Sequence, residues 1–433
     1  MTAPLLFINA RLIDPASGRD ETGWLLCRDG AIADLGAGAP PDVTDAEVRD
    51  LNGLCLAPGL VDLRVSAGEP GSEHKETLAT ANAAAVAGGV TTIVVTPETN
   101  PVIDEPALID FLLRRARDTA DVRVYPAAAL TRGLKGAAMS EIGLLLEAGA
   151  VMLSNGPSAV ADARVLQRAL DYARGFGALT AVRAEEPTLA AGGVVHEGEF
   201  AARLGLTGVP VLAERLAVDR DCALALATGA RLLLDQLSSA DGLSALGEWK
   251  TRGAPVFASV SAAHLVLNEL DVGEYRTYAR LSPPLRAEAD RRALVEALKS
   301  GLIDVVVSAH DPQPTEDKRR PFAEATPGGI GLETLLSTLL GLVAQDDFTL
   351  IEALRPATSA PADLLGLPQG RLAKGAPADL AVFDPAAPWL CDAEQLRSKS
   401  KNSPFDQRRM TGRAILTAVG GKVVFDRAAE TGR

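Results

Sequence analysis

Eight short apolar runs recur through the middle of this chain, with Ala- and Leu-rich stretches of helical character between them, and few folds accommodate that pattern. The runs cover residues 60–66, 91–97, 122–128, 151–155, 179–184, 231–237, 255–261 and 304–309, and they read as strands buried on both faces. Segments 106–119, 161–176 and 291–300 supply helices, and Pro106 suits a first turn, where a missing N–H costs nothing. Parallel strands need helical crossovers, so about eight β/α repeats over about 300 residues predict a TIM-type (β/α)8 barrel. A doubly wound open sheet satisfies the same strand count and stands as the alternative.

The two ends read differently. Residues 5–35 alternate as strands broken at Asp14-Pro15-Ala16-Ser17-Gly18 and at Arg28-Asp29-Gly30, both turn signals. Strand-and-turn character returns at 370–372, 378–383 and 414–425, with a Gly420-Gly421 turn. The expected organisation is an α/β chain in three parts. Residues 1–56 form the first portion of a small β-sandwich, 57–364 the barrel, and 365–433 the rest of the sandwich. Aromatic residues make up only 4%, so the core has to come from Leu, Val, Ile and Ala. A net charge of −13 disfavours nucleic acid and anionic membranes as partners, because both need basic surface. The opening Met-Thr-Ala-Pro has no signal-peptide character, and no apolar run approaches the ~18 residues of a spanning helix. Cys27, Cys55, Cys222 and Cys391 form no CxxC pair, so reduced thiols in a cytoplasmic protein are expected.

Ala57-Pro58-Gly59-Leu60-Val61-Asp62-Leu63 is followed by Glu69-Pro70-Gly71-Ser72-Glu73-His74-Lys75-Glu76-Thr77 and by Ala87-Gly88-Gly89-Val90-Thr91-Thr92. Further on stand Glu197-Gly198, Leu204-Gly205-Leu206, Ala213-Glu214, Pro283-Pro284-Leu285-Arg286 and Gly331-Leu332-Glu333-Thr334. Gly375-Ala376-Pro377-Ala378-Asp379-Leu380 and Ser398-Lys399-Ser400-Lys401-Asn402-Ser403-Pro404-Phe405 complete the series. In that order these segments resemble the type I dihydroorotases of the amidohydrolase superfamily. The resemblance implies a barrel of the amidohydrolase kind and hydrolysis of a cyclic amide by zinc-activated water. Zinc needs imidazoles and carboxylates converging from the strand ends.

The scaffold motifs persist, but the positions that the resemblance assigns to metal and substrate have changed. The first-strand His-x-His pair is replaced by Arg64 and Ser66, and a guanidinium offers no lone pair to a cation. Asn155 stands at or beside a ligating aspartate, Arg183 replaces a fifth-strand histidine and Gln236 a sixth-strand one. Ala309 replaces the eighth-strand aspartate that serves as general base. At the implied substrate positions, Gly68 replaces an arginine, Glu98 an asparagine and Ser282 another asparagine. Losing the arginine removes a bidentate carboxylate partner, and Glu98 adds repulsion. The whole chain holds four histidines, His74, His196, His264 and His310, which the family's centre would nearly exhaust alone. The expectation is therefore an absent zinc and no catalytic residue at these positions. A compensating site from His264, His310 and Asp311 is the metal-bearing alternative.

Arg64 and Arg183 could form an anion pocket, but the structural reading pairs them with Glu98, Glu185 or Asp235, since buried unpaired charge is costly. Lys135 reads as solvated rather than as a metal-bridging lysine, and Pro327-Gly328-Gly329-Ile330-Gly331 as a turn rather than a phosphate loop. Three functions follow from the resemblance. The first is a non-catalytic homologue that assembles with the catalytic chain of aspartate transcarbamoylase in pyrimidine synthesis, as a homo- or hetero-oligomer. The second is a repurposed enzyme using the barrel mouth, and the third an intact dihydroorotase with an atypical site.

Overall fold

The computed structural model describes residues 3–345 and 347–431. The chain begins with strands β1 (Leu5–Asp14), β2 (Arg19–Arg28), β3 (Ala31–Ala37), β4 (Glu47–Asp50) and β5 (Cys55–Pro58). The next five strands are β6 (Leu60–Val65), β7 (Val90–Val95), β8 (Arg123–Ala129), β9 (Met152–Ser154) and β10 (Thr180–Arg183). After a two-strand ribbon of β11 (Val195–His196) and β12 (Gly208–Val209) come β13 (Leu232–Asp235), β14 (Val256–Ser261) and β15 (Val305–Val307). Strands β16 (Leu380–Cys391), β17 (Arg408–Val419) and β18 (Lys422–Asp426) close the chain.

Eight strands, β6 to β10 and β13 to β15, form one parallel path in chain order. Its ends meet. Val65 bridges His310, and the Ser66 N–H donates to the His310 carbonyl at 2.8 Å. That closure decides for the (β/α)8 barrel over the open sheet. Composition explains the form: β7 reads Val-Thr-Thr-Ile-Val-Val and every residue in it is buried, as a strand covered on both faces requires. The outer helices are amphipathic. Helix Ala163–Arg174 buries Leu166, Ala169, Leu170 and Ala173 on one stripe, and the Asp162 side chain caps it by accepting from the Arg164 and Val165 N–H groups. Helix Pro106–Thr119 starts on the proline that its sequence marked.

The terminal strands join in a separate eight-stranded sheet, ordered β18-β17-β16-β5-β1-β2-β3, with β4 paired to β1. It encloses its own apolar core, including Phe7, Leu12, Leu25, Ile32, Leu56, Leu380 and Val382. Burying each such side chain contributes roughly 1.5–3 kcal/mol. Asp379 fastens this sheet to the barrel: its carboxylate, almost wholly buried, accepts from both Nε and Nη2 of Arg123 at 3.2 Å and from the Gly420 N–H at 2.7 Å. All four cysteines are free and buried. Among the described residues no helix is long and apolar enough to cross a membrane.

Candidate functional site at the barrel mouth

The strand C-termini of a (β/α)8 barrel converge on one mouth, where such folds place their chemistry. Arg64 lies near the end of β6, where the ladder to β7 is irregular between Asp62 and Val65. Its guanidinium is nearly buried and lies 3.1 Å from Asp235 Oδ2 and 3.9 Å from Glu98 Oε1. The Nη1 atom is off-line for a hydrogen bond despite that distance, so the attraction to Asp235 is Coulombic. Burial alone lowers the Arg64 pKa, but the charges of Asp235, Glu98, Asp311 and Asp62 together raise it above the usual arginine value. Arg183, at the end of β10, donates to Glu185 Oε2 at 3.2 Å and to Ser282 Oγ at 3.3 Å. Both guanidiniums thus find carboxylates, as the cost of unpaired buried charge demands.

Asn155 is fully buried just after β9, where its Oδ1 accepts from Thr131 Oγ1 at 2.6 Å and its Nδ2 donates to the Ser158 carbonyl at 2.9 Å. Gln236 and Ala309 follow β13 and β15 with φ of 58° and 52°, the left-handed region that non-glycine residues occupy at a cost of about 1 kcal/mol or more. Ala309 presents only a methyl group, which cannot accept a proton. Arg64, Gln236, Ser282 and Ala309 line one cavity, together with Pro404 and Phe405. Its volume is about 30 Å3. Ser66 and Gly68 are not part of that lining: Ser66 is tied to His310 through its backbone, and the Gly68 carbonyl accepts from the Ser72 N–H at 2.6 Å.

Of the alternative ligand set, Asp311 and His264 line this cavity, and the neighbours with no sequence signal of their role are Glu76, Thr80 and Ser398, gathered beside His310. Asp311 is partly buried, and desolvation followed by the charge of Glu98 pushes its carboxyl up to about 6. His310 Nδ1 accepts from the Gly331 N–H at 3.2 Å, which leaves Nε2 protonated and 3.4 Å from Glu76 Oε2. Ser398 and Thr80 hydroxyls donate to the same Glu76 carboxylate. His264 instead faces the Pro284 carbonyl, 3.3 Å from its Nε2. The alternative ligand set of His264, His310 and Asp311 is therefore not assembled. Lys135 is exposed, and Gly331 needs no phosphate to explain it: a Cβ there would lie 2.3 Å from the Ser308 carbonyl oxygen.

A curated dihydroorotase from Anaeromyxobacter dehalogenans is 43% identical to this chain over 428 residues, covering 98% of each. The chain belongs to the dihydroorotase family. Another dihydroorotase, from Pelobacter propionicus, is 39% identical over 98% of this chain and 100% of its own length. The Dihydro-orotase-like family model matches residues 53–241, and the Amidohydrolase family model matches residues 235–424. Among solved structures, L-hydantoinase (dihydropyrimidinase) from Arthrobacter aurescens superposes with a TM-score of 0.89 at 26% identity, over 98% of this chain and 97% of that one.

The expectation that this dihydroorotase-family protein lacks zinc is corrected by that membership. It rested on the replaced imidazoles together with the replaced carboxylates at Asn155 and Ala309, whereas the hydrolases of this family work with zinc. Four carboxylates, Asp235, Glu98, Asp311 and Asp62, act on the Arg64 guanidinium. As these side chains stand they do not fit a zinc ion, because a guanidinium lies among them. Among the described residues no three His, Cys, Asp or Glu side chains are grouped to hold a metal ion. No chemical step is derived through one.

Burial lowers the His264 pKa from an ordinary 6.5 to about 4, so the ring is neutral in the fold. The unfolded chain takes up that proton between pH 6.5 and 4 while the folded chain does not, so stability falls as pH drops through this window. The slope contributed is at most about 1.4 kcal/mol per pH unit. Urea midpoints at pH 7 and pH 5 for the parent and for His264→Gln should differ by that contribution, with the variant losing less on acidification.

Proposed function

We propose that this dihydroorotase-family chain serves de novo pyrimidine biosynthesis in the cytoplasm as an assembly partner of the aspartate transcarbamoylase catalytic chain, rather than as a ring-opening catalyst. The observation that carries this reading is the small size of the cavity that Arg64, Gln236, Ser282 and Ala309 line at the mouth. A cavity of about 30 Å3 has room for about one water, whereas small-molecule sites span roughly 300–1,000 Å3. The ion pair of Arg64 with Asp235 and the side chains of Pro404 and Phe405 take up the space. Ala309 supplies no base, and Glu98 sets a negative charge where a substrate carboxylate would approach. The barrel and the terminal sheet keep continuous cores, so the scaffold is maintained for some other purpose.

A second reading, cyclic-amide hydrolysis through an atypical site, is favoured by the 43% identity over 98% of the chain to a protein named dihydroorotase. Co-expression with the transcarbamoylase in zinc-supplemented medium, followed by mass measurement and assay of both activities, separates the two. The expected result is a defined complex of the two chains with no dihydroorotate turnover above buffer. Turnover in the ordinary enzyme range, about 1 s−1 or faster, establishes the second reading instead. Failure of the chains to associate sinks the first.

A further inference from the structure

The face of the barrel opposite the mouth carries a larger recess, a cleft of about 530 Å3 at the N-terminal ends of β13, β14 and β15. That size falls within the range of small-molecule sites. Arg231 directly precedes β13, Phe257 is the second residue of β14, and Asp304 directly precedes β15. The facing wall is the helix Ser359–Leu365, whose Leu364 joins Phe257 in the apolar filling of the barrel.

Arg231 is held in place. Its guanidinium donates to the Leu364 carbonyl at 2.6 Å and the Gly177 carbonyl at 3.2 Å, and its central carbon lies 5.8 Å from the centre of the Phe257 ring. A fixed planar cation beside an aromatic ring is a surface on which a flat heterocycle stacks. Two rim carboxylates are ion-paired, Asp304 with Lys250 at 2.8 Å and Asp363 with Arg371, while Glu352 accepts from the Thr349 N–H at 2.8 Å and keeps its charge near Lys299. Two exposed rim cations, Lys299 and Arg355, form no ion pair among the described residues. With Asp304 and Asp363 answered by Lys250 and Arg371, the three lining cations Arg231, Lys299 and Arg355 face one unanswered carboxylate, Glu352, and that local excess in a chain of net charge −13 favours an anion.

We propose that this floor cleft binds an aromatic phosphate of mononucleotide size, its ring against the Arg231–Phe257 platform and its phosphate at Lys299 and Arg355. The site is independent of the assembly role and lies at the other end of the barrel. Two strands connect it to the mouth: β13 carries Asp235 at its far end, and β14 carries Ser259, whose Oγ donates to Asp235 at 2.9 Å.

Isothermal titration of the full chain at low salt tests the proposal, with adenosine monophosphate, uridine monophosphate, the two free nucleosides and inorganic phosphate as probes. The expected result is saturable binding of at least one nucleotide, tighter than its nucleoside or phosphate alone. The double variant Lys299→Glu/Arg355→Glu should weaken it by about tenfold or more. Both residues are exposed, and an unchanged thermal melt of the variant confirms that it folds. The proposal is overturned by no saturable binding of either nucleotide at millimolar concentration, by binding that the double variant leaves unchanged, or by phosphate binding as tightly as the nucleotides.

Discussion

Arg64→Met should destabilise the fold by about 3–5 kcal/mol, read as a fall in the urea midpoint with little change in slope. The methionine fills much of the same volume, so the loss comes from charge rather than from a void. Asp235 is left buried with its Oδ1 still accepting from Ser259 but with no cation facing Oδ2. Glu98 also loses its cation, and its buried Oε2 already has no hydrogen-bond partner. The double variant Arg64→Met/Asp235→Asn should recover a large part of the loss, because it removes the orphaned charge as well as its partner. If Arg64→Met costs less than about 1 kcal/mol, the pair behaves like a solvated surface contact and the account of the mouth as an ion-paired plug fails.

The second large effect is expected at Glu214, which belongs to a persistent scaffold motif. Its buried carboxylate accepts four hydrogen bonds: from the N–H groups of Ser238 and Ser239 at 2.9 Å and from their hydroxyls at 2.6 Å. Ser239 in turn caps helix Ala240–Thr251, and Arg286 donates to Ser238 Oγ at 3.2 Å. Glu214→Leu strands these donors in a place water does not reach, at about 1–3 kcal/mol for each one left unsatisfied. A total loss of at least about 4 kcal/mol is expected, seen as poor soluble yield and rapid proteolysis. Glu214→Gln keeps one acceptor oxygen and should lose distinctly less. Equal stability of Glu214→Leu and the parent would contradict this network.

These two residues show why the sequence was informative about some features and silent about others. The eight barrel strands were legible because burial on both faces leaves β-branched and aliphatic runs, as in β7, and all eight lie within two residues of their expected limits. The two-residue strands β11 and β12 carry no period and were missed. Arg64 and Arg183 could be assigned carboxylate partners in advance, since a buried guanidinium has few alternatives. The constriction of the mouth could not. It depends on Pro404 and Phe405 arriving from far along the chain, and the Glu76–His310–Ser398 cluster likewise joins segments with no shared local pattern. The zinc expectation failed for a related reason: counting lost ligands says what has been replaced, but not what a family's site retains.

The pairing of β5 with β16 has a consequence for synthesis. The two strands are separated by roughly 320 residues, and at about 5–20 residues per second the ribosome needs roughly 15–60 s to supply the second after the first. Throughout that interval β5 has an unsatisfied edge, beside a β1 whose apolar face awaits the other half of its core. Nascent chains stalled or truncated before residue 380 should therefore be captured by holdase chaperones or aggregate through this edge, even when every barrel strand has already emerged.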